Sequence, residues 1–172
     1  MFGSKVQHTV PARGGRLQVL RLIKDMLKQP RLSNTSFTNL KLLMEGALNS
    51  IKRRSLIFII SDFISEPGWE RPLSMLNQRH EVLAIRLWDP REVELPDVGM
   101  IMMEDAETGE QLFVDTHDPK FRKRFSEVAQ RRENELKTAF KRAGVDALSL
   151  STEEDLVRAI VHFAKQRRQY RK

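Results

Sequence analysis

The feature that most constrains the fold is an uninterrupted apolar run, SLIFIIS at residues 55–61, which ends at Asp62. The run is far shorter than the roughly 18 to 20 residues needed to cross a bilayer, and its isoleucines favour a β-strand. Strands that are apolar on both faces are typical of parallel sheets, whose faces are covered by helices. We therefore predict a strand at 55–61 that is buried on both faces of a parallel sheet.

Helical and strand patterns alternate along the chain. Apolar residues recur at three- and four-residue spacing in five segments, which predicts helices, and the stripe in the first of them is interpreted as core. The first helix is predicted at 16–28, the second begins near Thr38 with Thr38 or Ser36 as its cap, and the third is predicted at 69–79. The fourth begins at Asp118 and ends at Gly144, and the fifth begins with a capping box from Ser151 to Glu154. Further strands are predicted at 81–87 and 145–150. This order predicts an α/β fold, a mostly parallel sheet with helices on both faces.

Two more segments have strand-like patterns. KVQHTV at residues 5–10 alternates with a two-residue period, which predicts a short edge strand. Between residues 99 and 115, two apolar runs flank the turn sequence Glu107-Thr108-Gly109. This second segment predicts a β-hairpin inserted into the fold.

Size and charge limit the class of protein. A chain of 172 residues is long enough for one globular domain, and the absence of cysteine excludes disulfides, thiolate zinc sites and a cysteine nucleophile and favours a cytoplasmic location. Five of the seven net positive charges lie in the last eight residues, which leaves a nearly neutral body. We predict a domain at 1–164 and a basic tail at 165–172, and no specific nucleic-acid site in the body. The tail leaves open an alternative function in binding nucleic acid or a membrane surface.

Two positions are candidate ligand-binding residues. Asp62 follows the most apolar strand, and ligands of α/β sheets gather beyond the carboxyl ends of the strands. A turn or helix cap is an equally good interpretation of Asp62 from its position alone. Residues 33–38 are rich in hydroxyl groups and end at Thr38. Hydroxyl and carboxylate oxygens together suit a hard cation such as Mg²⁺, although such loops also serve as helix caps.

The sequence around these two residues is similar to known motifs. SFTNL before a helix and LIFIISDF at a strand end resemble the second and third motifs of the von Willebrand factor A metal-ion-dependent adhesion site, with Thr38 and Asp62 at the matching positions. Over nearly the whole chain, the sequence resembles the bacterial DUF58 family in FGSKVQHTVPARGGRLQVLRLI, RRSLIFIISDF, RHEVLAIRLWDPREVELPDVG, EDAETGEQLFVDT and AGVDALSLSTEED. The resemblance implies a von Willebrand A-like, Rossmann-like fold. Because members are commonly encoded beside MoxR-type AAA+ ATPases, it also implies such an ATPase as partner.

One part of the family pattern is missing. The first metal motif, Asp-x-Ser-x-Ser after the first strand, does not occur in this sequence. Thr38 and Asp62 would then be two ligands of a site that needs about six oxygens. We therefore expect a metal site that is partial and binds weakly or not at all, no cofactor in this chain, and Mg²⁺ only in a complete family member. We also expect the fold to be incomplete at its N-terminus, which would leave the edge of strand 55–61 open to self-association.

The motifs of common enzymes are absent or weak. Neither a P-loop nor a dinucleotide-binding glycine motif occurs, and the four histidines lack metal-ligand spacing. Asp115-Thr116-His117-Asp118 could form an acid/base cluster, although aspartate before proline at a helix start is more often a cap. The sequence therefore predicts a non-enzymatic protein-interaction or adaptor domain.

Overall fold

The secondary structure follows the predicted order of elements. The computed structural model describes residues 10–11, 13–28, 39–104 and 110–170. Thr38, the turn at 107–109 and most of the predicted strand 5–10 lie outside these residues. The elements are α1 (Arg16–Leu27), α2 (Leu40–Ser50), β1 (Leu56–Ser61), α3 (Glu70–Arg79), β2 (Glu81–Trp88), β3 (Met100–Glu104), β4 (Gln111–Asp115), α4 (Pro119–Ala143), β5 (Asp146–Ser151) and α5 (Leu156–Tyr170).

Three of the strands form a parallel sheet in the order β1-β2-β5. The register places Phe58 opposite Leu83 and Ile85 opposite Leu148. Strands β3 and β4 form a separate antiparallel pair, with Met102 opposite Phe113. The predicted α/β class, with a mostly parallel sheet and a β-hairpin, is confirmed.

One face of the sheet carries the main hydrophobic core. Side chains alternate between the two faces of a strand, so Ile59 of β1 and its register partner Ala84 of β2 point the same way. Both are buried together with apolar residues of α2, α3 and α4. The core members are Leu40, Met44, Leu48, Ile59, Phe63, Trp69, Leu73, Leu76, Val82, Ala84, Leu136, Phe140, Ala143 and Val145. The predicted inward positions of α3, which include Leu73 and Leu76, are confirmed.

The opposite face is covered only in part. Glu81 and Asp146 lie on it, and the Arg167 guanidinium of α5 reaches both carboxylates, with its Nη2 2.7 Å from Glu81 Oε1 and its Nε 2.8 Å from Asp146 Oδ2. Helix α5 therefore packs over the β5 side, where Leu83 and Leu148 are buried. Helices thus lie on both faces, as predicted. Helix α5 also continues to Tyr170, through the predicted boundary between residues 164 and 165.

The β1 side of that second face is open. Leu56, Phe58 and Ile60 are 49, 53 and 61% exposed, and Leu87 at the end of β2 is exposed as well. The prediction that strand 55–61 is buried on both faces is therefore wrong. Among the described residues β1 is an edge strand, and helix α5 packs at the opposite edge of the sheet, over β5.

Helix α1 departs from its predicted role in the same way. Its bounds agree with the prediction to within one residue, but none of its residues is buried. Its apolar side chains, including Leu20, Ile23 and Met26, remain exposed. The interpretation of this stripe as core is wrong for the part of the chain that the structure describes, because no described element covers it.

Helix ends are set by short-range hydrogen bonds. Asn39, rather than Thr38 or Ser36, caps α2, since its Oδ1 accepts from Leu42 N at 3.1 Å. Asp118 caps α4 as predicted, and Gly144 ends that helix in a left-handed conformation with φ 66°. Glu154 Oε1 does accept from Ser151 N, but α5 begins only at Leu156. Asp155 caps it instead, because its Oδ1 accepts from Arg158 N at 3.1 Å.

Candidate functional site

The predicted site begins at the carboxyl end of β1. Asp62 is exposed there, and its Oδ1 accepts from Ile64 N at 2.9 Å and from the Ser61 hydroxyl at 3.3 Å. Phe63 between them has a φ of 59°, a left-handed conformation that is rare for residues other than glycine. The turn directs the Phe63 ring into the core, where the side chain is 3% exposed. Asp62 therefore closes this turn, as the capping interpretation predicts, and keeps its carboxylate at the surface.

The start of α2 is held against the same loop. Leu40 N donates to Ser65 Oγ at 3.0 Å, and Asn39 Nδ2 donates to Glu66 Oε2 at 2.8 Å. These bonds hold the residue that follows Thr38 beside the loop that begins at Asp62. Thr38 itself lies outside the described residues, so its approach to Asp62 stays a prediction.

The described side chains at this corner do not make a complete site for Mg²⁺. A hard divalent cation takes about six oxygen ligands, several of them carboxylates. One oxygen of Asp62 already accepts two hydrogen bonds, and Glu66 accepts from Asn39. Across residues 10–11, 13–28, 39–104 and 110–170, no group of three or more histidine or acidic side chains could hold a metal ion. The described donors could supply only part of the ligand set of a cation.

A second carboxylate lies beyond the neighbouring strands. Asp89 follows β2, and its Oδ2 accepts from the Thr152 hydroxyl beyond β5 at 2.7 Å while its Oδ1 accepts from Arg91 N at 2.9 Å. The Arg91 amide, followed by the Thr152 hydroxyl, lowers the pKa of Asp89 below its ordinary value. This pair was not predicted, although both residues follow predicted strands and their positions were the available signal. The pair joins the two loops.

The predicted acid/base cluster is part of the hairpin base. His117 Nδ1 is in hydrogen-bond contact with Asp97 Oδ1, and Arg122 Nη1 lies 2.9 Å from Asp97 Oδ2. The hydrogen bond to His117, and then the charge of Arg122, lower the pKa of Asp97. Asp115 is a turn cap that accepts from His117 N at 2.9 Å. The neighbouring Thr116 hydroxyl is buried and donates to Gly99 O at 2.7 Å. The contact between Asp97 and Arg122 connects the base of the hairpin to α4.

A buried ion pair lies under the sheet near its carboxyl edge. Nη1 of Arg86 in β2 lies 2.5 Å from Oε2 of Glu133 in α4. The Arg86 side chain is 7% exposed and the Glu133 side chain is 18% exposed. The Arg86 guanidinium also lies 6.0 Å from the centre of the Trp88 ring. This pair was not predicted, because Arg86 occurs in the middle of a strand and Glu133 is 47 residues away in sequence. The pair links the sheet to its longest helix.

Comparisons with known proteins identify relatives that have no described function. A family model described as "Protein of unknown function DUF58" matches residues 1–135. "Uncharacterized protein MAV169" of Mycobacterium avium is 36% identical over 159 residues, which are 92% of this chain and 94% of that protein. "Uncharacterized protein Rv1480" of Mycobacterium tuberculosis and "Uncharacterized protein Mb1516" of Mycobacterium bovis are each 35% identical over 159 residues. The chain spans about half the length of these two relatives.

No solved structure matches the chain with significant similarity. Within the described part of the chain, no helix has the length and apolar character required to cross a membrane.

Proposed function

The chain belongs to the DUF58 family, and from this premise we propose that it is a non-enzymatic protein-interaction domain. The observation that carries the proposal is the open face, which we define as Leu56, Phe58 and Ile60 of β1 with Leu87 of β2. Alternation along the strands places these four side chains on one side of the sheet. Contiguous exposed apolar surface of this kind marks sites where proteins bind partners, because burial of apolar area on association is favourable.

The proposed partner is a MoxR-type AAA+ ATPase, as the DUF58 resemblance implies. The proposed contact is the corner at Asp62, where a von Willebrand A-like domain would bind its ligand. Two observations support this choice: the Asp62 carboxylate lies at the surface, and the start of α2 is held beside it by Ser65 and Glu66. The remnant metal site and a cytoplasmic location are parts of the same proposal. No bound cation is required for the contact.

Replacement of Asp62 by alanine tests this contact. In a binding titration with a MoxR-type ATPase from the same genome, Asp62→Ala is expected to weaken binding about tenfold or more, because it removes a charged group from the contact. The free energy of unfolding, measured with urea, should fall by only about 1 kcal/mol, which is the usual effect of losing a capping side chain. Asp115→Ala is a matched control, since Asp115 also caps a turn by accepting from the amide two residues later.

The outcomes separate the two parts of the proposal. Equal losses of affinity for Asp62→Ala and Asp115→Ala would show that Asp62 acts only as a turn cap. Failure of the wild-type chain to bind the ATPase would show that the partner is wrong.

A second candidate function, binding to an anionic membrane surface, is favoured by α1. This helix exposes an apolar stripe that includes Leu20, Ile23 and Met26, and it also carries the basic residues Arg16, Arg21 and Lys24. The one acidic residue of α1, Asp25, is paired with Arg21. A basic amphipathic helix can lie in the headgroup region with its apolar side inserted.

Sedimentation with lipid vesicles tests the second candidate. The chain should sediment with phosphatidylserine-containing vesicles, and Ile23→Ser should reduce the bound fraction severalfold because it removes an inserted side chain. Val128→Ser, at an exposed position of α4, should leave binding unchanged. Equal binding to vesicles of phosphatidylcholine alone, or equal binding of Ile23→Ser and wild type, would contradict this function.

A further inference from the structure

We propose that two copies of the chain pair along β1 in antiparallel orientation, so that their sheets join into one with the order β5-β2-β1-β1-β2-β5. This inference rests on the proposed protein-interaction function and identifies a second copy of the chain as a partner that binds at the edge of β1, beside the open face. It is carried by the free edge of β1, the exposure of its side chains and the charges at its two ends.

The outer edge of β1 is suited to adding a strand. Within the described residues, β1 pairs with β2 on one side only. Its sequence, LIFIIS, contains no charged residue, proline or glycine. Those are the residues by which natural edge strands avoid pairing with other chains. The edge therefore offers backbone N–H and C=O groups with nothing in the strand to oppose a second strand.

The charges that flank β1 select the antiparallel orientation. Lys52, Arg53 and Arg54 precede the strand and are exposed, and Asp62 follows it and is also exposed. Antiparallel pairing of two copies places the basic end of each strand beside the acidic end of the other. Parallel pairing would bring like charges together, which is unfavourable. The strand is thus complementary to itself in one orientation.

One register satisfies both the charges and the apolar side chains. When Phe58 lies opposite Phe58 of the second copy, Leu56 lies opposite Ile60 and Arg54 opposite Asp62. Leu56, Phe58 and Ile60 are two residues apart within β1, so their side chains share the open face, and Arg54 and Asp62 flank the two ends of the strand. The apolar surfaces of the two copies then become continuous, with an aromatic pair on the twofold axis. Aromatic and oppositely charged cross-strand pairs both stabilise antiparallel strands.

Mass measurement with matched variants tests the pairing. Multi-angle light scattering of the full chain should give twice the 20.0 kDa monomer mass. Phe58→Lys should give a monomer because it places two like charges opposite each other at the axis. Phe113→Lys is the control, since Phe113 is also an exposed phenylalanine on a strand, and it should remain a dimer. A monomeric wild type, or equal effects of the two variants, would overturn the proposal.

A charge exchange tests the orientation. Arg54→Asp and Asp62→Arg should each weaken the dimer about tenfold, and the double variant should restore it, because each pair again has opposite charges. Failure of the double variant to restore the dimer would overturn the antiparallel register. The dimer is measured without the ATPase, and the double variant lacks the Asp62 carboxylate. A restored dimer that does not bind the ATPase would therefore support both proposals, and a monomeric wild type that binds the ATPase through Asp62 would reject only this one.

The absence of native cysteine allows a direct test of the register. Directly opposed residues of antiparallel strands have Cα atoms about 4.5 to 5.5 Å apart, within the range that a disulfide can bridge. Phe58→Cys should therefore form a disulfide-linked dimer under mild oxidation, whereas Phe113→Cys should not. Equal yields of cross-linked dimer from the two variants would contradict the register.

Discussion

Replacement of Glu133 by alanine is expected to lower the free energy of unfolding by about 3 to 5 kcal/mol. The reason is the burial of its partner, since the Arg86 side chain is 7% exposed and would keep its charge without the nearby carboxylate. A buried charge without compensation costs far more than the net value of the pair. Urea unfolding at neutral pH, followed by circular dichroism, measures the effect.

Two control variants distinguish burial from simple loss of a salt bridge. Glu127→Ala removes a carboxylate from the exposed Lys123–Glu127 pair of the same helix, and it should change stability by less than about 0.5 kcal/mol. The double variant Arg86→Met with Glu133→Leu should recover most of the stability, because it removes both charges and keeps the volume. Similar effects of Glu127→Ala and Glu133→Ala would contradict this account of the pair.

Replacement of Phe140 by alanine is expected to destabilise the fold by about 3 to 5 kcal/mol. The Phe140 ring packs edge-on against Phe63, with centroids 4.9 Å apart, and lies 5.9 Å from Trp69. Its loss would leave a cavity among rings supplied by α4, by the turn after β1 and by the start of α3. It would also remove contacts that support the left-handed backbone of Phe63. Thermal unfolding followed by near-ultraviolet circular dichroism reports on both effects.

Val128 provides the comparison on the same helix. Its side chain is about half exposed, so Val128→Ala should cost less than about 1 kcal/mol. Phe140→Leu, which keeps an apolar side chain at the site, should lose less stability than Phe140→Ala. A loss below about 1 kcal/mol for Phe140→Ala would show that the aromatic cluster is not a main part of the core.

The sequence patterns predict the bounds of helices and strands more reliably than they predict which other parts of the fold bury them. The spacing of apolar residues places α1 and β1 within a residue of their observed bounds, because periodicity depends on neighbouring residues alone. The same patterns also predicted that both are buried, and this was wrong. Burial depends on other parts of the fold, and the apolar residues of a covered and an uncovered helix have the same spacing.

The site shows the same division between local and distant contacts. The caps at Asp118 and Gly144 follow from a few adjacent residues, and the sequence predicts both. The start of α5 was predicted too early because Ser151 and Asp155 are both good caps, and the hydrogen bond to Arg158 N is made by Asp155. The pairs Arg86–Glu133 and Asp89–Thr152 join residues far apart in sequence. They form only when the sheet order brings their strands and helix together.

The order of the parallel strands has a consequence for biosynthesis. Strand β2 lies in the middle of the sheet, but its two partners are β1, made just before it, and β5, which follows the hairpin and the 25-residue helix α4. A ribosome adds roughly 5 to 20 residues per second, so the β5 side of β2 stays open for several seconds after β2 has been made. During that interval β2, which is the central strand of the complete sheet, has one unpaired edge. The α4–β5 segment therefore completes the sheet, and ribosomes queued on one message would hold several such open sheets close together.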